Sequence, residues 1–388
     1  ARDGCAGDSV HFKEVAERFE VLTRDLGVVD FDLPNKLARI QSLMVTAKAF
    51  TPEILHECAM SRGEWLNAQL IAHVLGYTFI DAADFISFSE DGTYHHTATI
   101  RRAEGVRIRE RMADGIVIPG FYGSTVSRAI RTFPRDGSDI TGSIVAALTG
   151  SSVYENFSDV SGFLATSPKI VENPARITEM TYEEARELSF MGSPILQSRA
   201  VKYAKDLDIP IHVRKTDRDL PEGKWISTWI NTKAPRPVTG IGVRKGGMII
   251  TLAKDGMDDE VGFLGQAASV FSRNGISVHN CPGSVDTLSF IVLDPIPSDK
   301  IPIIADDIES TCTCQITVTR QVSVICVVGR GMSHIPGVAA KIIRALAEAG
   351  INIVMLNQGS SERNVEIGVD DENADRAVRA IYDTFFRE

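Results

Sequence analysis

The chain has 388 residues, 44% of them hydrophobic and 24% charged, and a formal net charge of −10. This is the balance of a folded globular protein of two or three domains, which excludes a disordered chain. The acidity argues against a general nucleic-acid or acidic-membrane binder, and there is neither an apolar run of bilayer-spanning length nor a visible signal peptide.

The chain opens on ARDGCAGDSV, without an initiator methionine or a strand-like start, and is expected to be a fragment or a processed form. In residues 10–75, SVHFKEVAERFEVLTRDLG, LPNKLARIQSLM and SRGEWLNAQLIAHVLG carry apolar positions at three- and four-residue spacing. This predicts helices, with stops at Gly27 and Gly76. Short apolar runs then alternate with helical stretches. YTFIDAADFI precedes TIRRAEGVRIRERMADG, and the strand IVIPGFYGS leads into a helix after Asp139. SSVYENFSDVSGFLA precedes TYEEARELSFMG and ILQSRAVKYAKDLD, and IPIHVRK reads as a strand. The alternation predicts an α/β fold, a mainly parallel sheet covered by helices, with ligands at the carboxyl ends of its strands.

PEGKWISTWINTKAPRPVTG (221–240) holds three prolines and reads as a boundary. Beyond it, GMIITLAK, EVGFLGQAASVFSRNG, ISVHNC, TLSFIVLD, DKIPIIADDIES and QITVTR spell β-α-β-β-α-β. VSVICVVG, IPGVAAKIIRALAEAG, INIVMLN, NVEIGVD and ADRAVRAIYDTFF repeat the order without its last strand. The period of about 70 residues suits two ferredoxin-like modules. The strand 238–244 has no partner in the first copy, so it is expected to complete the second and interleave the two. The expected domains are 1–236, 237–320 and 321–388.

Cys5, Cys58, Cys281, Cys312, Cys314 and Cys326 form no CxxC pair and have no matching histidine spacing. Cys312 and Cys314 are placed on one face of a strand, as a metal or redox pair or, on the preferred reading, as small buried thiols. The expectation is a reduced, cytoplasmic chain with no metal site.

RTFPRDGSDITGSIVAAL (131–148) carries both charge signs at a helix mouth. Asp136 and Ser138 are good N-cap types, and Asp139 suits the positive end of the helix dipole. Arg135 is not explained by capping, since a cation there is unfavourable unless an anion lies between. A plain cap and an anion site both remain open on this segment alone.

SRGEWL, IPGFYGS, RTFPRDGSDITGSIVAAL, SDVSGFLATSPK, TYEEARELSFMG, IPIHVRKT and then two small repeats resemble, in that order, aspartate kinase. That family joins an amino-acid-kinase domain to two ACT regulatory domains, and the resemblance covers nearly the whole chain. It implies transfer of the γ-phosphoryl group of MgATP to the side-chain carboxylate of L-aspartate, opening the route to lysine, threonine and methionine. It also implies that Arg135 holds a substrate carboxylate, that Asp139 receives the ammonium, and that Ser138 helps from the helix N-terminus. Glu64 becomes a second acidic contact with Arg62 close by, where the residues alone suggest a solvated helix-start glutamate. Ser158, Asp159 and Gly162 of SDVSG stand where the family's T-D-V-D-G lines the nucleotide pocket, with Ser161 replacing an acid. Aspartate is ionised at pH 7, with a pKa of about 3.9. No general base is required, and positive charge with in-line positioning carries the step.

The departures lie on the nucleotide side. The chain begins after the family's opening K-F-G-G-[ST]-S strand, whose lysine contacts phosphates, so as written it is expected to turn over little or no ATP. A version carrying that strand is expected to be active. G-A-K-V-L-H appears as GSPILQ (192–197), without a cation near Pro194, and D-P-R appears as Ser167, Pro168 and Lys169. Asp136 replaces a glycine. The alternative function is a non-catalytic amino-acid-sensing or assembly protein on a decayed kinase domain; the paired ACT repeats disfavour a glutamate 5-kinase. In the first ACT repeat, KDGMDDEVGFL leaves amides free at a helix start, which puts an effector pocket for lysine or threonine at Gly262, Phe263 and Ser277. A homodimer through the ACT repeats is expected, because sheet edges and an apolar face remain to be covered.

Overall fold

The computed structural model describes residues 10–387 except 48, 135, 161, 194, 197, 217–226 and 234–235. They fall into two units, Ala1–Asn156 with Arg199–His212 and Phe157–Ser198 with Val213–Glu388. The first contains helices α1 (Val10–Asp25), α2 (Leu33–Ala47) and α3 (Pro52–Leu75). Thr51 caps α3, its hydroxyl accepting from Ile54 N–H at 3.5 Å, and Pro52 opens it without losing a needed donor. Gly76, in the left-handed region at φ 69°, ends it. SRGE therefore lies in mid-helix, not at a helix start, because the cap signal sits ten residues upstream of Ser61.

Strand β1 (Thr78–Phe79) precedes α4 (His96–Val106), and β2 (Ile116–Val117) pairs with β1 in parallel. Strands β3 (Tyr122–Ser124) and β4 (Ile130–Thr132) form an antiparallel hairpin leading to α5 (Gly137–Thr149). Leu66, Phe85, Ile86 and Tyr122 are completely buried beneath these elements.

Strand β5 (Tyr154–Ser158) precedes β6 (Glu179–Thr181), α6 (Tyr182–Phe190), α7 (Ala200–Lys205), β7 (Ile211–Lys215) and β8 (Ser227–Asn231). Their four-stranded sheet has the order β5-β7-β8-β6, with β6 and β8 parallel. β8 is a correction to the sequence reading, which took 221–240 for a boundary. Its STWIN alternation buries Thr228 and Ile230 completely, and the prolines flank the strand rather than enter it.

The remaining strands, β9 (Gly240–Ala253), β10 (Thr287–Val292), β11 (Gln315–Val328), β12 (Met355–Asn357) and β13 (Asn364–Asp370), form one antiparallel sheet of order β10-β9-β11-β13-β12. Helices α8 (Phe263–Arg273), α9 (Lys300–Cys312), α10 (Val338–Glu348) and α11 (Ala374–Phe386) complete the two repeats. β9 and β11 each serve both copies. Met248–Ala253 pairs with Gln315–Arg320, and Gly240–Arg244 pairs with Val324–Val328, so the residues expected to complete the second copy do pair with it. The register shifts between Arg320 and Val324, where Gln321 adopts φ 57°.

ISVHNC, expected as a strand, keeps only an isolated bridge between Asn280 and Ile291, since Pro282 and Gly283 follow at once. Cys312 ends helix α9 and Thr313 turns left-handed after it, so Cys312 and Cys314 do not share a strand face. Cys58, Cys312 and Cys326 are buried thiols, Cys314 is half-buried and Cys281 is exposed.

Within the second unit, buried Glu184 ties helix α6 to the sheet. It closes a capping box with Thr181, and its Oε1 accepts from Thr239 Oγ1 and Arg330 N–H, each at 2.8 Å.

Candidate active site

In the first unit the mouth of α5 is packed against the loop before β3. A Cβ on Gly120 would stand 3.1 Å from the backbone and hydroxyl of Ser138, so any side chain there would have to push Ser138 back by a few tenths of an ångström. Thr141 Oγ1 accepts the Phe121 N–H at 3.0 Å and donates to Gly137 O at 3.1 Å, fixing loop to helix. Phe121 sits at φ 60°, a left-handed backbone for a bulky residue and a mark of a constrained site. The sequence reading missed it, and only the glycines on either side hint at it.

Asp136 stands at the N-cap position but at φ 61° and ψ 28°, with no side-chain capping bond. It is therefore not the cap its residue type suggested, since the left-handed backbone turns its carboxylate away from the first-turn amides. Ser138 is exposed in the first turn. Arg135 lies outside the described residues.

Asp139 is half-buried, and its Oδ1 accepts from Asn156 Nδ2 at 3.0 Å. Asn156 also donates to the Tyr154 hydroxyl at 3.1 Å, and that hydroxyl donates to Asp139 O at 3.3 Å. Burial, reinforced by the Asp139 charge, pushes the Tyr154 hydroxyl well above the usual tyrosine range, so it stays a donor.

Glu64 is half-buried on α3 and has no hydrogen-bond or ion-pair partner among the described residues. Burial alone raises its carboxyl pKa. An acid taken partly from water and left unmatched fits an incoming cation. Arg62, only two residues away, lies about 200° around the helix axis from it. Arg62 is 6% exposed and packs over Tyr122 and Trp65, so the structure does not bring it to Glu64. On another turn of α3, Glu57 Oε2 accepts from Arg131 Nε at 2.7 Å and from Thr132 N–H at 3.2 Å, anchoring β4 where it leads to α5. The sequence analysis did not find this pair.

In the second unit, Ser158 ends β5, its hydroxyl donating to the exposed Asp159 at 3.1 Å, and its carbonyl accepts Thr216 N–H at 2.8 Å. Gly162, at φ 85°, presses on β8: a Cβ there would meet Thr228 Oγ1 at 2.5 Å. Lys169 borders a cavity of about 240 Å³ with Gly192, Lys245 and Asp375. Ser161 and Pro194 lie outside the described residues.

Gly262 opens α8 at φ 94°, with no side-chain cap, and Phe263 is buried with Lys254 Nζ 5.5 Å from its ring centre. Ser277 is exposed beyond the far end of α8, an 11-residue helix about 16 Å long. One chain thus unites Gly262 with Phe263 but not with Ser277. Nearby in sequence, His279 Nε2 and Asn280 Nδ2 donate to buried Glu366 at 2.7 and 2.8 Å, and Asn357 Nδ2 donates to it at 3.2 Å. Burial raises the Glu366 carboxyl, but the hydrogen bonds and charge of His279, with the two asparagines, outweigh it and hold its pKa below the usual range.

Residues 12–215 match the amino acid kinase family, and residues 325–385 match the ACT domain. Aspartokinase 3 of Bacillus subtilis is 31% identical over 384 residues, covering 96% of this chain and 83% of that protein. The crystal structure of Clostridium acetobutylicum aspartate kinase, described as an allosteric enzyme, superposes with a TM-score of 0.82 at 33% identity, over 96% of this chain and 84% of that one. Escherichia coli aspartokinase III, solved with aspartate and ADP, shares the fold at 20% identity, with a TM-score of 0.76 over 98% and 92% of the two chains. With the family match spanning residues 12–215 and the Bacillus relative 31% identical over 96% of this chain, the chain belongs to the aspartokinases of the amino acid kinase family.

Proposed function

We propose that the chain transfers the γ-phosphoryl group of ATP to the side-chain carboxylate of L-aspartate, at the entry to lysine, threonine and methionine synthesis. The observation that carries this reading is the Asp139 carboxylate, held by Asn156 in the first turn of α5 beside the closely packed Gly120 loop. In this reading Asp139 and Glu64 receive the substrate ammonium, while Arg135 and the helix N-terminus with Ser138 take its α-carboxylate. The side-chain carboxylate is then left free to attack. Since it is already ionised, the chain's residues need only position it and offset anion repulsion.

Ser158, Asp159 and Gly162 are the proposed nucleotide contacts. Among the described residues no group of three His, Cys, Asp or Glu side chains is placed to hold a metal. Magnesium would therefore arrive on the nucleotide phosphates, where it offsets their charge, with the exposed Asp159 carboxylate able to meet it.

The ACT repeats are proposed to sense lysine or threonine as a homodimer. The separation of Ser277 from Gly262 within one chain supports a pocket completed by a second copy, as do exposed Val261 and Leu264 beside the α8 start. The E. coli enzyme has also been solved with lysine and aspartate, which supports the same assignment.

In a form of the enzyme that carries the lysine–glycine phosphate loop, ADP release measured with L-aspartate, L-glutamate and N-acetyl-L-glutamate tests the catalytic reading, which requires dependence on aspartate alone. Lysine or threonine at 100 times its Kd should add about 2.7 kcal/mol of stability. A melting temperature that moves while no acid supports turnover would favour the non-catalytic sensor.

A further inference from the structure

Arg62 is 94% buried by its 6% exposure, and a cation so far from water is costly without a negative partner. No carboxylate among the described residues forms an ion pair with it. Its Nε and Nη2 donate to the Ser61 hydroxyl at 3.2 and 3.0 Å, and that hydroxyl donates on to Cys58 O at 2.8 Å. Asp81 shares the same wall but is engaged by other donors: Trp65 Nε1 at 2.9 Å, the Tyr122 hydroxyl at 2.8 Å and Ala83 N–H at 3.0 Å.

The Arg62 guanidinium lies 5.0 Å from the Tyr122 ring centre and 5.8 Å from that of Trp65, while Arg39 approaches Trp65 at 5.4 Å. The two arginines border one cavity of about 220 Å³. On its exposed side Arg128 stands 3.7 Å from Asp84, in a loose pair. Three arginines line this cavity against two aspartates, so its net charge is positive.

We propose that this cavity binds a small tetrahedral oxyanion, the phosphoryl group of inorganic phosphate or of a phosphomonoester, with Arg62 as its buried counter-charge. Arg39 and Arg128 approach the anion from the open side. A dianion with several acceptor oxygens suits three guanidinium forks better than a single carboxylate does. The site is distinct from the proposed aspartate contacts, since Glu64 points from the opposite face of α3. Its lining shares no residue with the proposed nucleotide contacts Ser158, Asp159 and Gly162.

The test is the melting temperature of the protein under saturating ADP, in sodium phosphate, glycerol 3-phosphate, sodium acetate or sodium chloride at matched ionic strength. Phosphate or glycerol 3-phosphate should raise it saturably while acetate behaves as chloride, and whichever half-saturates lower is the source. Arg62→Met should abolish the response, and Arg39→Ala and Arg128→Ala should each weaken it about tenfold. Should Arg62→Met fail to fold, the other two variants decide. The proposal is overturned by no response beyond chloride, by an equal response to acetate, or by an unchanged response in Arg39→Ala and Arg128→Ala.

Discussion

The Asn156 side-chain amide donates to Asp139 Oδ1 at 3.0 Å, orienting the one acid in the first turn of α5. In the proposed reading Asn156 is a positioning residue and Asp139 a direct contact of the substrate. Asp139→Asn should lower kcat/KM for aspartate about 100-fold, the cost of a charge-assisted contact. Asn156→Ala should cost about tenfold, chiefly in KM, while Asn156→Gln partly rescues it. Equal losses in kcat and KM for ATP from Asn156→Ala would mean that it only supports the fold.

Asp136 occupies a left-handed backbone position, caps nothing, and brings a negative charge to the helix mouth. Asp136→Gly should hold or raise stability, by up to about 1 kcal/mol, because glycine takes φ 61° without steric cost. Asp136→Ala should lower it. Thermal unfolding reads both. Activity should stay equal or rise in Asp136→Gly, and a loss would make the carboxylate a working group.

Much of this was legible in the sequence, but unevenly. The amphipathic helices α8, α10 and α11 followed from apolar spacing, and the interleaved repeat followed from one strand too few in the second copy and one too many before the first. β8 was not legible, because prolines on both sides of STWIN look like a linker until a parallel neighbour is supplied. Arg62 was grouped with Glu64 by adjacency, which fails on a helix, where positions i and i+2 point apart. The Glu366 cluster joins residues 86 and 87 positions apart, beyond any local pattern.

Burial raises the Glu64 carboxyl pKa, so its charged form destabilises the fold. The contribution of such a group is intact below the ordinary glutamate range and is lost as pH rises through the raised value. Glu64→Gln should therefore gain stability on the parent as pH climbs from about 4 to 7, while losing aspartate use. Urea unfolding across pH and the KM for aspartate read the two effects separately. A stabilised variant with unchanged KM would remove Glu64 from the site.

Glu366 has the opposite sign. Its depressed folded-state pKa stabilises the ACT sheet above the ordinary glutamate range and ceases to do so as pH falls through the depressed value. Glu366→Gln should cost about 1–3 kcal/mol at pH 7, with the gap closing below about pH 4. Denaturant unfolding at the two pH values checks this, and a gap independent of pH would assign the loss to packing.

Hydroxylamine trapping of the acyl phosphate tests the central claim most directly, using a form of the enzyme that carries the lysine–glycine phosphate loop. With MgATP and L-aspartate the account predicts aspartyl hydroxamate, dependent on both substrates and reduced about 100-fold or more in Arg135→Ala and Asp139→Asn. Hydroxamate formed equally well by both variants, or formed from another amino acid in place of aspartate, would contradict it.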